Sequence, residues 1–486
     1  MGKEVFAFAL TPLNGKQYDS IHLPPAAHEV LKMEVTRILA QFVVDSRYAD
    51  IPEKIRHEAT RSVLNWLGCA VGGSRHESID IALAALAPFA GPAQAGVLGR
   101  GERLDIMHAA LVNGISSHVF DFDDTHLKTV IHPSGPVVSA LLALAEYRPL
   151  SGADFLHAFV LGVEVECRIG NAVYPSHYDV GWHITGTAGV FGAAAAVGRV
   201  LGLNVQQMTW ALGIAATQAA GLREMFGSMC KPFHPGRAAQ NGMTAAYLAS
   251  KNFTSSERGI EAPRGFAHVL ATARNFDAIT VGLGQSWEVA LNTYKPFACG
   301  IVIHPTIDGC VQLRNEHTLD AGDIAGIELK VHPLVLELTG KKTPQVGLEG
   351  KFSVYHSAAV AVIHGEGGES VYSDACVRDP RVIELRDKVS AAVDKDKHED
   401  AVHITIRLKD GRVLEKHVEH AIGSLYRPMS DDDLEAKFRS LATGILSTGE
   451  TDALLKLCWS VQKLKDAGEI ARAAVPAGSA NSAKLS

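Results

Sequence analysis

Residues 121–135 read "DFDDTHLKTVIHPSG", three carboxylates and two histidines around a threonine, ahead of a Pro-Ser-Gly turn. Three chemistries fit such a stretch. Asp121, Asp123 and Asp124 could hold a hard cation, which takes oxygen ligands. The carboxylates could simply cap the helix that follows. Alternatively, Asp121 and His132 could form part of an acid/base site, because an imidazole changes charge near neutral pH. The metal reading finds little support elsewhere. The chain has no H-E-x-x-H, no C-x-x-C pair and no good second Asn/Ser/Glu cluster. Three other segments supply parts that an acid/base site needs. "YDVGWHITGTAG" places His183 just before a helical pattern, and "GSMCKPFHPGRAAQNG" places Lys231 and His234 in a Gly/Pro-rich turn. "NTYKPFACGIVIHP" places Lys295 at an apparent domain junction, with His304 downstream. One at a time, such a histidine reads as a core or cap residue and such a lysine as solvated. Together they put imidazoles, ammonium groups and an aspartate at loop–helix junctions.

The elements that must position these groups are mostly helical. In "IRHEATRSVLNWLGCAVGG", Ile55, Ala59, Val63 and Leu67 recur every four residues, and Gly72-Gly73 stops the pattern. Residues 105–120 form a second such stripe, which runs directly into the acidic stretch, and residues 150–173 form a third. Segments 184–202 and 205–221 are rich in Ala and Gly interspersed with larger apolar residues. They predict closely approaching helices at the centre of a bundle. Near residue 295 the texture changes. "GIELKVH" (326–332) alternates as a strand does, and "VHITIRLKDGRVLEKHV" (402–418) predicts a hairpin around Asp410-Gly411. Between them, "KFSVYHSAAVAVIHG" and "PRVIELRDKVSAAVD" both read as helices. "SDDDLEAKFRSLATGIL" (430–446) restarts a helix, with Ser430 as N-cap and Asp431 to Asp433 at the positive end of its dipole. The expectation is a mainly α protein with a second α+β domain: an N-terminal extension over 1–33, a helical domain over 34–294, an α+β domain over 295–428, a return to the helical domain over 429–472, and a disordered tail over 473–486.

The composition narrows the function. The 486 residues carry a formal charge of −7, so no basic groove for nucleic acid is indicated. Any positive charge for an anionic substrate must be local. Seven cysteines without a C-x-x-C pair read as free thiols in a reducing compartment. The short apolar run "VFAFAL" falls short of a signal segment. The window 184–203 carries Arg199 and reads as a buried helix rather than a membrane span. A cytoplasmic protein without a membrane segment is expected.

The set "HVFDFDDTHLKTVIHPSG", "GWHITGTAG", "KPFHPGRAAQNG", "YKPFACG" and "GLEGKFSVYHSAA" resembles, in order and spacing, the MmgE/PrpD family of 2-methylcitrate dehydratases, cis-aconitate decarboxylases and iminodisuccinate epimerases. The resemblance spans roughly residues 35 to 470. It implies a large helical domain completed by C-terminal helices, a smaller α+β lid, a homodimer, and no metal or organic cofactor. Positions matching the family's active-site motif are Asp121, Thr125, His132, His183, Lys231, Lys295 and Tyr355. One departure stands out: Gly300 occupies the place where the vertebrate decarboxylases carry a histidine.

The resemblance implies small polycarboxylate substrates. Removing a proton or CO₂ beside a carboxylate leaves a carbanion, whose charge compact ammonium groups stabilise. Lys231 and Lys295 are therefore expected to bind the substrate together with Thr125. His132 and His183 are expected to move the proton, Asp121 to orient a histidine, and Tyr355 to donate a hydrogen bond or a proton. Asp123, Asp124 and His126 are expected to be structural neighbours. The same parts serve decarboxylation of an aconitate-like acid, the favoured reading, dehydration of a citrate-like one, or epimerisation of an iminodisuccinate-like one. A binding protein without activity is the remaining alternative.

Overall fold

Helix boundaries follow from local chemistry. Asp105 accepts hydrogen bonds from the backbone of Met107 and His108 to open helix Ile106–His118, and Ser151 caps Gly152–Val173. Asn204 and Gln207 form a capping box on Val205–Ala216, and Gly202, at φ +70, closes Ile184–Leu201. The computed structural model describes residues 34–479. The expected extension over 1–33 and the last seven residues of the expected tail lie outside the described residues. Helices Val35–Asp45, Glu53–Gly73, Glu77–Leu86, Ser134–Tyr147 and Cys230–Ser250 also belong to the first part, and Asp431–Ala442, Thr448–Trp459 and Gly468–Ala473 return to it. The acidic run caps as expected: Ser430 and Asp433 form a capping box.

Helix Ile184–Leu201 is long and apolar enough to cross a membrane by length and composition. It lies instead inside the bundle, with every residue from Ile184 to Gly198 buried. Small residues set the spacing. A Cβ on Gly114 would fall 2.4 Å from the Cα of Gly236, and one on Gly236 would fall 2.3 Å from the carbonyl oxygen of Leu111. Any side chain at either position would force apart helices Ile106–His118 and Cys230–Ser250. Their close approach brings the start of one helix to the end of the other, where the site forms.

The second part carries a four-stranded sheet in the order Val389–Val393, Ile324–Val331, Val402–Leu408, Val413–Val418. The hairpin at 402–418 is as expected, with Gly411 at φ +91 in its turn. One element differs from expectation. "PRVIELRDKVSAAVD" splits into helix Pro380–Arg386 and strand Val389–Val393, which pairs in parallel with Ile327–Val331. The open edge of the central strand outweighs the helical propensity of Ala391 and Ala392. Ile327, Leu329 and Val331 turn inward and join a core with Val354, Ala358 and Ala361 of helix Val354–His364. The expected tail also begins too early. Ala474 is buried and its carbonyl accepts the N–H of Gly99 at 2.8 Å.

From Val35 onward the chain forms one compact unit. A two-residue antiparallel ladder joins its parts: Thr125 faces Thr293 and His126 faces Asn292. This ladder lays the acidic stretch alongside the segment that carries Lys295.

Candidate active site

Helix Ile106–His118 ends in a tight turn, where the N–H of Asp121 donates to the carbonyl of His118. Asp121 adopts φ +52, the left-handed region that Asp and Asn tolerate better than most residues. The turn reverses the chain so that Asp123 comes back under the helix end. There both carboxylate oxygens of Asp123 lie 2.8 and 2.9 Å from Nδ1 of His118.

Asp121 is the centre of charge. Its Oδ1 lies 2.8 Å from Nζ of Lys231 and 2.7 Å from Nζ of Lys295. Burial opposes ionisation of this carboxyl, but the two ammonium groups outweigh it and hold Asp121 well below the usual carboxylate range. Burial also lowers Lys231, only partly offset by Asp121. Lys231 lies beside two aromatic rings, 5.1 Å from the centre of Phe226 and 5.2 Å from that of Phe352. Contrary to expectation, Lys231 and His234 lie not in a turn but in the first turns of helix Cys230–Ser250, with Pro235 inside it. A first turn needs no N–H, so Pro232 fits there, and Pro235 removes one hydrogen bond.

The imidazoles surround this pair. Nδ1 of His132 lies 2.8 Å from the carbonyl of Asp124, so Nδ1 carries the proton. That leaves Nε2 as the basic nitrogen, 3.9 Å from Oδ1 of Asp121. The backbone N–H of His132 donates to Thr185 Oγ1 at 3.1 Å. His183 is the residue before helix Ile184–Leu201, and its Nδ1 lies 2.8 Å from Nδ1 of His234. One of that pair donates and the other accepts, so their tautomers are locked together. Burial lowers His132 and His183 well below the ordinary imidazole value, helped by Lys231 and by neighbouring imidazoles. Burial likewise lowers His234 to about 4. At neutral pH all three are uncharged.

A cavity of about 40 Å³ lies between these groups. Asp121, Thr125, His132, His183, Lys231 and Lys295 line it, so six of the seven residues expected to form the site converge. Tyr355 does not line it. Helix Val354–His364 turns this side chain into the core of the α+β part, near Lys342. Gly300 does line it, 3.0 Å (from an ideal Cβ) from Thr339 Cγ2, so no imidazole enters from that corner.

The sequence reading missed His118 and understated Asp123. Asp123 fixes the proton of His118 on Nδ1, and Nε2 of His118 is buried without a hydrogen-bond partner among the described residues. Its ring centre lies 4.6 Å from that of His132. The signal was a helix-ending histidine five residues before an aspartate. Asp124 serves differently: it accepts from Ser134 Oγ at 2.6 Å and from Asn292 Nδ2 at 2.6 Å. Burial and Asp123 raise it to about 7. His126 pairs with Glu288 at 3.0 Å, away from the cavity.

His118, His132 and His183 present nitrogens within 4.8 Å of one another, as do the ligand atoms of His118, Asp121, Asp123 and His132. The local charge argues against a dication there. Asp121 already pairs with two ammonium groups, which leaves the trio net positive, and Asp123 is committed to His118. The arrangement suits an anion instead: cations to receive carboxylates, and neutral imidazoles with free basic nitrogens to move a proton.

A mainly helical protein with a lysine-flanked, histidine-lined cavity at its seam with a small α+β part is a defined class of enzyme architecture. The pattern described as the MmgE/PrpD N-terminal domain matches residues 37–279, and that of the MmgE/PrpD C-terminal domain matches residues 297–461. The chain belongs to the MmgE/PrpD family and is a lyase of that family. It is 28% identical over 452 residues to the cis-aconitate decarboxylase of Homo sapiens, covering 89% of this chain and 92% of that protein. It is 26% identical over 465 residues to the cis-aconitate decarboxylase of Aspergillus terreus, covering 90% and 94%. The 2-methylcitrate dehydratase of Cupriavidus necator is 24% identical over 421 residues, covering 78% and 84%.

Proposed function

We propose that the chain removes CO₂ from a small unsaturated tricarboxylate of the cis-aconitate kind, without a cofactor. The observation that carries this reading is the convergence of two buried ammonium groups on one carboxylate, 2.7 and 2.8 Å away, beside neutral imidazoles. Substrate carboxylates take up the donors of Lys231 and Lys295 alongside Asp121, with Thr125 offering a hydroxyl. When the bond to CO₂ breaks, its electron pair moves through the double bond to the carbon next to a remaining carboxylate. The ammonium groups stabilise that charge as it develops. A proton then passes to the carbon from His132 or His183. Bringing two or three carboxylates into the site reverses the influence of the lysines and raises the imidazole pKa values, so a histidine can arrive protonated. The cavity holds little more than a water molecule. Substrate entry therefore requires the walls formed by Val130, Ile301, Val302 and Phe352 to part.

Dehydration of a citrate-like acid is the second reading. It is favoured by the basic Nε2 of His132, oriented to take a proton beside a carboxylate, and by the similarity to the Cupriavidus dehydratase. The reading also includes a homodimer located in the cytoplasm. Incubation in D₂O with cis-aconitate, citrate, 2-methylcitrate and iminodisuccinate, followed by NMR, separates the outcomes. CO₂ release with one deuterium incorporated supports decarboxylation. A new alkene from a hydroxy acid supports dehydration. Deuterium at a stereocentre without net change supports epimerisation, and no change in any of them defeats the proposal.

Two expectations follow for the imidazoles. His183→Gln should lower kcat by roughly 10²- to 10⁴-fold, the range for a positioned acid or base. On the dehydration reading, in which His132 or His183 acts as the base, activity that depends on a neutral histidine in the free enzyme is lost as pH falls through its folded pKa. Because burial lowers both His132 and His183, the acid limb of kcat/KM should lie below the ordinary imidazole value of about 6.5. A limb at or above that value overturns the assignment of a neutral base.

A further inference from the structure

Three consecutive carbonyls in the active-site turn, those of Phe120, Asp121 and Phe122, each accept a hydrogen bond from a different buried lysine. Lys351 Nζ donates to the carbonyl of Phe120 at 2.8 Å. Lys295 Nζ donates to the carbonyl of Asp121 at 2.9 Å. Lys437 Nζ donates to the carbonyl of Phe122 at 2.6 Å. The outer two lysines also hold the segment 295–298 opposite. Lys351 donates to the carbonyl of Ala298 at 2.8 Å, and Lys437 to the carbonyl of Lys295 itself at 2.9 Å. Lys437 gives its last donor to Asn65 Oδ1 at 2.7 Å, and Lys351 pairs with Glu369. Both ammonium groups therefore have all three donors engaged, and neither lines the cavity.

We infer that Lys351 and Lys437 are positioning residues that staple the turn 120–122 to the segment 295–298, and so fix the Asp121 carboxylate against the ammonium of Lys295. The geometry needs such a device. Asp121 holds a left-handed backbone conformation that a turn of unaided residues would readily leave. A displacement of about 1 Å between reacting groups can cost roughly 10²-fold in rate. Each staple comes from a different element. Lys351 directly follows helix Gly347–Gly350 of the α+β part, and Lys437 comes from helix Asp431–Ala442 of the helical part. The two parts thus grip the turn from opposite sides. A lysine suits the task because a single ammonium can reach three acceptors that converge on one point. Burial lowers Lys437 to about 8 and leaves it charged at neutral pH, where all three donors are available.

The test uses Lys437→Met, which keeps volume and removes every donor, and Lys437→Gln, which keeps two donors. Lys456→Met, an exposed lysine on the next helix, is the control. The kinetic readout rests on the lyase reading above, so a second readout is taken without substrate: the histidine side-chain ¹⁵N–¹H spectrum through a pH titration. The staple predicts that K437M loses roughly 30- to 100-fold in kcat with KM changed by less than about 3-fold, on the scale of a small misplacement. It predicts that K437Q recovers most of that loss, and that the His132 and His118 signals shift in K437M. A K437M protein that melts earlier but keeps the wild-type kcat and unshifted histidine signals overturns the inference. Should K437M not fold, K437Q and Lys351→Met carry the same two readouts, and unshifted histidine signals in both overturn it. If the wild-type protein turns over none of the four acids, the substrate reading fails, and the histidine spectra alone decide the staple.

Discussion

Asp121→Asn should cost about 3–5 kcal/mol of stability, the range for removing one partner of a buried ion pair. It should also lower turnover by about 10²- to 10³-fold, as loss of a preorganised electrostatic element does. The substitution isolates charge. Asparagine accepts φ +52 as readily as aspartate, so the turn survives. The amide nearly matches the carboxylate in shape, so no cavity opens. What disappears is the one negative charge among the described residues that lies within hydrogen-bond reach of both Lys231 and Lys295. Two ammonium groups then face each other in a buried site, and one must release its proton. Lys231, already lowered by burial, is the one expected to do so. Adding Lys231→Met to Asp121→Asn should therefore return part of the stability, because it removes the amine that folding would otherwise have to deprotonate. Urea unfolding of the wild-type, single and double variants measures this directly. A single variant within about 0.5 kcal/mol of wild type, or a double variant less stable than the single, contradicts the charge arrangement described for the site.

How much of this was legible in the sequence depends on how local each cause is. Helices with caps and periodic stripes were legible, because Asp105, Ser151 and Ser430 act within three residues of their own position. The hairpin at 402–418 was legible because Asp410-Gly411 is a local turn signal. The strand Val389–Val393 was not, because its pairing with Ile327–Val331 is a tertiary event and "DKVSAAVD" carries no strand alternation. At the site, Asp121, His132, His183, Lys231 and Lys295 came from motif order, and the fold brings them together. Tyr355 came from the same source and misses the cavity, because the phase of its helix points it into the core. His118 was hidden within an apolar helical stripe. Its role depends on Asp123 returning beneath it, which only the left-handed turn at Asp121 makes possible. Lys351 and Lys437 were invisible for a plainer reason. A lone lysine reads as solvated, and their acceptors lie as much as 315 residues away in sequence.

Beneath the site lies the group with the largest expected gain. Glu166 is fully buried, and neither carboxyl oxygen has a hydrogen-bond partner among the described residues. Helix Ile184–Leu201 passes directly over it. A Cβ on Gly192 would fall 2.5 Å from Oε2 of Glu166, so the glycine leaves the carboxyl just enough room. Burial, and then the nearby Asp124, raise Glu166 well above the ordinary carboxyl range. Burial therefore favours the protonated form of Glu166 in the native state, while the unfolded chain releases that proton near pH 4.3. With more protons bound to the native state than to the unfolded one, wild-type stability falls as pH rises above that value. The slope is about 1.4 kcal/mol per pH unit until the folded pKa is reached. Glu166→Gln keeps the shape and removes the titration. The variant should match wild type within about 0.5 kcal/mol at pH 4.5 and exceed it by a margin that widens as pH rises towards 7. Denaturation of both proteins at the two pH values reads this difference. A gap independent of pH, or a variant less stable at pH 7, means that Glu166 is ionised and paired in solution. The active-site floor would then carry a negative charge that this structure assigns to a neutral acid.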